Sequence, residues 1–135
     1  MKSSSTIAWF VFGAAAALLV GGCPAQGVAV GDEFDGRWLV TSEQLNTCVV
    51  ITAGKIASID ENCSGQPILP RSAGEGTRAG NQVTWSVIAL NTLGQFINLE
   101  FDVSVQADGS LVGIEVINDF SGAEPEIRDI LMTRR

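Results

Sequence analysis

Three thiols carry most of the reactive chemistry this chain could perform: Cys23, Cys48 and Cys63. A thiol can serve as a nucleophile, a metal ligand, a lipid attachment point or half of a disulfide. The first two uses need partners that are missing. The chain has no histidine, so neither a Ser-His-Asp nor a Cys-His arrangement can be built. Two thiols without imidazoles do not fill a zinc shell. Carboxylates are the other candidates. Asp60-Glu61 and Glu124-Pro125-Glu126 could divide acid and base roles between them, but both pairs fall in turns, where acids are solvated. Gly74-Glu75-Gly76 lacks the Lys and the following helix of a phosphate loop. The chain is therefore expected to be no enzyme, with no catalytic residue, no metal and no cofactor.

Lipid and disulfide remain, and the N-terminus decides how they are shared. Lys2 is the one charge before an uncharged run, Ile7 to Val20, of 14 residues. Crossing a bilayer takes roughly 20 apolar residues, whereas about 7–15 after a positive start mark a secretory signal. Val20-Gly21-Gly22-Cys23 follows directly and looks like a lipobox: an aliphatic residue, two small ones, then the cysteine that takes lipid. Residues 1–22 read as a lipoprotein signal peptide, and Cys23 as the lipidated, acylated residue. Export implies an oxidising compartment, where the two cysteines left over, Cys48 and Cys63, pair as a disulfide. Closing a 15-residue loop in this way stabilises by about 3 kcal/mol in the chain-entropy view.

Cleavage leaves 113 residues, enough for one small domain, with seven basic against 15 acidic residues and a net charge of −8. Such acidity argues against nucleic acid, which needs Lys and Arg to displace counterions. It also argues against a polybasic membrane patch, so contact with the membrane is expected through the lipid anchor. Pro24 after the cysteine is not the retention Asp of enterobacteria. The outer membrane is the default location within a bacterial cell envelope, periplasmic or surface-exposed. Residues 23–33, with Pro24, Gly27 and Gly31, read as a flexible tether, and 34–135 as the domain.

The domain reads as β throughout, without a helical stripe. Eight strands are expected: 34–41, 48–52, 56–60, 76–79, 83–89, 96–105, 111–117 and 127–134. Residues 96–105 alternate most cleanly, with Ile97, Leu99, Phe101, Val103 and Val105 on one face. Asp108-Gly109 then signals a two-residue hairpin turn, pairing Val105 with Val112, Val103 with Ile114 and Phe101 with Val116. That register sets Asp102 opposite Glu115 on the outer face, a like-charge pair costing up to roughly 1 kcal/mol. Short connections and the need to remove strand edges point to an all-β, up-and-down antiparallel barrel of about eight strands. Residues 64–80 and 118–126 read as long loops.

Phe34-Asp35-Gly36-Arg37-Trp38 resembles the Gly-x-Trp opening of lipocalin-like barrels. Gly76-Thr77-Arg78-Ala79-Gly80-Asn81-Gln82-Val83-Thr84-Trp85 and the ending Ile130-Leu131-Met132-Thr133-Arg134 resemble segments of small lipocalin-like bacterial lipoproteins. The resemblance implies a barrel closed by first and last strands, with Arg134 stacked over Trp38. By parity Phe34, Trp38, Trp85, Leu99, Phe101 and Ile114 point inward. They are expected to fill a barrel of this size, which otherwise holds one small ligand.

Two functions follow. One is a filled barrel acting as a structural or protein-interaction domain of the envelope. A variant of it is an acidic inhibitor of a basic secreted hydrolase such as lysozyme. Periplasmic lysozyme inhibitors are similar in size, lipidation and barrel form, although this chain lacks their motif. The other function is binding of a small apolar ligand in a lipocalin-like cavity.

Overall fold

A computed structural model of the chain describes residues 27–43, 45–72, 74–91 and 93–135. Cys23, the signal peptide and the first part of the tether lie outside these residues. Nine strands follow in chain order: β1 (Val28–Ala29), β2 (Gly36–Thr41), β3 (Asn46–Thr52), β4 (Lys55–Glu61), β5 (Gly74–Ala79), β6 (Gln82–Leu90), β7 (Phe96–Val105), β8 (Leu111–Asn118) and β9 (Glu126–Arg134). From β2 to β9 each strand pairs antiparallel with the next, and β9 returns to pair with β2. This is a closed up-and-down barrel of eight strands, with β1 added outside the circuit.

The added strand sits where the circuit is thinnest. β4 and β5 share two residue pairs, Lys55↔Glu75 and Ile56↔Gly74. Beyond them the edge of β5 is taken by β1, through Val28↔Arg78 and Ala29↔Thr77, and Val30 N–H continues the ladder to Gly76 O at 3.0 Å. Pairing of an otherwise open edge is a reason for this segment to hold its place. Residues 28–30 of the expected tether therefore belong to the barrel. Phe34 is corrected too: it lies in a turn before β2, where the Asp35 amide bonds Asp32 O at 3.0 Å.

Two glycines allow β5 to approach its neighbours. A Cβ at Gly74 would lie 1.9 Å from Val87 Cγ1, and one at Gly76 would lie 2.4 Å from Trp85 Nε1. The side chains of β6 thus fill the space that β5 vacates. In β4 a register shift opposite Val50 and Ile51 inserts one residue, so that Ile56 and Ile59, three apart, both face the core.

The hairpin from β7 to β8 departs from expectation. Val105 pairs with Leu111, Val103 with Gly113 and Phe101 with Glu115. The loop has three residues between Gln106 and Ser110, with Gly109 at φ 89°, the second common hairpin form. Asp108 accepts bonds from the Ser110 amide and hydroxyl, at 2.9 and 2.6 Å, which holds the turn. A slip of one residue exchanges the two faces of a strand. Ile114 therefore faces outward, Asp102 lies opposite Ile114, and Glu115 enters the barrel.

Candidate functional site

The barrel has two unlike ends. One carries the short turns at Ala53-Gly54, Gly80-Asn81 and 107–109, and the segment before β2 lies across it. Trp38, Trp85 and Phe101 are fully buried there with Leu111 and Met132. Phe34 stands edge-on to Trp85 at 5.5 Å and tilted to Trp38 at 6.5 Å. Both indoles donate hydrogen bonds, Trp38 Nε1 to Phe34 O at 2.8 Å and Trp85 Nε1 to Gly54 O at 3.1 Å. Buried indoles usually need such acceptors, and here the acceptors come from the segments that close this end.

Arg134 completes the closure. It is opposite Trp38 in the β2–β9 ladder, and its guanidinium lies over the indole at 4.5 Å from the ring centroid. The same guanidinium donates to Asp35 O at 2.9 Å and Glu33 O at 2.6 Å. At an exposed position the cation–π part is worth about 0.5–1 kcal/mol. Arg78 repeats the arrangement on Phe34 at 5.6 Å, while bonded to Glu33 at 3.1 Å. These arginines hold the floor of the barrel.

The opposite end carries the longer connections, 42–45, 62–73, 91–95 and 119–125. Here side chains do not fill the interior. A cavity of about 320 Å³ opens between the strands. Its deeper wall is apolar: Ile59, Ile97, Leu99 and Ile117, with Thr47 also buried. Its rim bears Glu61, Asp119, Glu126 and Arg128. Ligand sites commonly measure about 300–1,000 Å³ and combine apolar walls with a few placed polar groups. The interior is thus filled toward the closed end and open toward the other.

Glu115 is the unusual residue of this cavity. It retains 7% of its exposure, beside Phe101 across the ladder on one side and Arg128 on the other. Among the described residues its carboxylate accepts no hydrogen bond. Arg128 instead bonds Glu126 Oε2 through Nε at 2.6 Å, and chiefly for that reason its own pKa is raised. Burial pushes the Glu115 carboxyl above its ordinary value; Arg128 opposes this, and Glu61 and Glu126 add to it. A buried acid without bonds is costly to a fold.

Compared with known proteins, the chain matches no family model, no curated protein and no solved structure. The site therefore rests on its own geometry.

The remaining expected residues lie elsewhere. Cys48 and Cys63 form a disulfide with Cα atoms 5.0 Å apart. It joins β3 to the loop after β4, where Asp60 accepts bonds from the Ser64 and Gly65 amides at 2.9 and 2.8 Å. Arg135 bonds the Cys48 sulfur. The acids Asp60, Glu61, Glu124 and Glu126 are not gathered into one site, although Glu61 and Glu126 both reach the cavity rim. No group of three His, Cys, Asp or Glu side chains among the described residues is placed to hold a metal. Sequence reasoning missed Glu115 and Arg128 as partners across β8 and β9. The available signal was Ala107-Asp108-Gly109, which suits a three-residue turn with Gly last as well as a two-residue turn at Asp108-Gly109.

Proposed function

We propose that the chain is a non-enzymatic lipoprotein of the bacterial cell envelope whose barrel takes a small, largely apolar ligand into its open end. The observation that carries this reading is the cavity of about 320 Å³ walled by Ile59, Ile97, Leu99 and Ile117 above a filled aromatic floor. A domain with a purely structural task has no need to leave that volume empty, since voids lose packing contacts. The volume is near the lower bound for ligand sites, which limits the ligand to a small molecule.

The membrane part of the proposal supports the same use. Lipid on Cys23 lies five residues before Val28, a reach of at most about 18 Å. The chain enters the barrel at its closed end, beside the Gly80-Asn81 turn. An anchor there turns the mouth away from the bilayer and toward solutes.

A titration of the full lipidated chain in nanodiscs with the neutral dye N-phenyl-1-naphthylamine, read against protein-free nanodiscs, tests the proposal. The dye should bind saturably at one site, and Leu99→Trp, which fills the cavity, should abolish that binding. Dye binding unchanged in the Trp variant would overturn the assignment.

A second reading has an observation of its own. The register of β8 and β9 puts Val112, Ile127 and Leu131 on the outer surface, 44%, 64% and 40% exposed. Neighbouring exposed apolar residues of this kind suit a protein partner. That reading needs no ligand in the mouth, so absence of a saturable dye site in the same titration would favour it over the first.

A further inference from the structure

We infer that the ligand of the barrel mouth is an organic cation: an apolar body carrying an ammonium or similar group that pairs with Glu115. This rests on the ligand-binding reading and names its chemistry. The apolar wall accounts for the body, and the polar groups account for the charge.

Glu115 is more than nine-tenths buried, lines the cavity, and receives no hydrogen bond from the described protein. An acid so placed lacks a donor, and a bound cation with N–H groups supplies one. The charged groups facing it come from three elements. Arg128 and Glu126 lie on β9, Glu61 on β4, and Asp119 in the loop after β8. β7 and β6 turn only uncharged side chains inward beside it, among them Leu99, Phe101 and Val87. Glu115, Glu61 and Glu126 therefore act on one guanidinium, Asp119 adds a fourth acid to the lining, and that guanidinium is already bonded to Glu126.

The mouth thus carries a surplus of negative charge in a cleft, where low-dielectric walls strengthen attraction for the opposite sign. An anionic ligand would have to compete with Glu126 for Arg128 and approach three further acids. A metal ion fits poorly, because these acids do not converge as a ligand set. An alkylammonium needs one buried carboxylate and a dry wall, and both are present.

Glu115 is also poised to make the binding pH-sensitive. Its pKa is raised by burial in the free protein, so acidification begins to neutralise it above the ordinary carboxylate range. The ammonium keeps its charge throughout. Affinity for the cation should fall as pH drops into the range where Glu115 takes a proton.

Three probes of equal chain length test the inference by calorimetry on the full chain in nanodiscs: hexylamine, hexan-1-ol and hexanoate. Hexylammonium should bind about ten- to a hundredfold more tightly than hexanol, the usual range for a hydrogen bond to a charged group. Hexanoate should bind most weakly. Glu115→Gln should bring the amine down to the affinity of hexanol, and lowering the pH should do the same to the unsubstituted protein. Equal binding of amine and alcohol would defeat the charge assignment and leave the ligand reading standing. Tightest binding of hexanoate would transfer recognition to Arg128 and defeat it as well. Failure of all three probes at millimolar concentration would overturn the ligand reading, and the inference with it. The comparison of probes needs no variant, so a folding defect in Glu115→Gln could not rescue the idea.

Discussion

Glu115 shows how one residue can work against its fold. Its folded pKa is raised, so between the unfolded and folded pKa values the folded protein holds a proton that the unfolded chain has released. Stability from this group is present at low pH and is lost as pH rises through the folded pKa. Glu115→Gln should therefore stabilise the ligand-free protein at neutral pH. The gain should vanish below the ordinary carboxylate range, where the wild-type side chain is neutral in both states. Urea unfolding across pH reads this directly, and a Gln variant less stable at neutral pH would make Glu115 a structural partner of Arg128 instead. Trp38 and Trp85 show the opposite case. Each buries a large ring and finds an acceptor for its N–H, so both add to stability. These two were legible in the sequence, because Val40 stands at spacing two from Trp38, and Val83 and Val87 from Trp85. Glu115 was not, because its neighbours Ile114 and Val116 are the apolar ones.

At the level of strands, the hairpin between β7 and β8 decides which residues reach the cavity. Alternation gives each strand two faces but does not say which face is inside. For β7 the answer is plain, since only one face is apolar. For β8 the apolar set Val112, Ile114 and Val116 lies outside, where Val112 pairs with Leu131 and Val116 with Ile127 on β9. Those cross-strand contacts return part of the apolar packing. Gly113 faces inward at a close crossing: a Cβ there would lie 2.0 Å from Asp102 O. The disulfide ties a second pair of segments, β3 and the loop following β4. Replacing both Cys48 and Cys63 with Ser should lower stability by about 3 kcal/mol for this loop length. Denaturant midpoints with and without the pair measure it, and an unchanged midpoint would show that Asp60 and the neighbouring strands order the loop unaided.

The whole molecule is a barrel with one end sealed and one end open, held on the proposed anchor by its sealed end. Cys23→Ala should abolish lipid labelling and leave the precursor uncut by the lipoprotein peptidase; labelling that persists would remove the anchor from the proposal. The 14-residue apolar run, the lipobox after it and the two cysteines left over were enough to expect export and the disulfide. Alternation with short turns was enough for an eight-stranded antiparallel barrel, because period-two patterns and edge removal are local and topological properties. The contact of Arg134 with Trp38 was likewise expected, from the resemblance of both chain ends to lipocalin-like barrels and from parity in a closed sheet. The position of residues 28–30 was not legible, since nothing in Val28-Ala29-Val30 announces that the β3–β4 hairpin is too short to cover β5. Nor was the cavity. Whether inward side chains fill a barrel depends on the register of every strand at once, and a single added turn residue moved Ile114 out and Glu115 in. The sequence determined that a barrel would form and what anchors it is expected to have; only the closed sheet decided which end is empty and which acid faces the space.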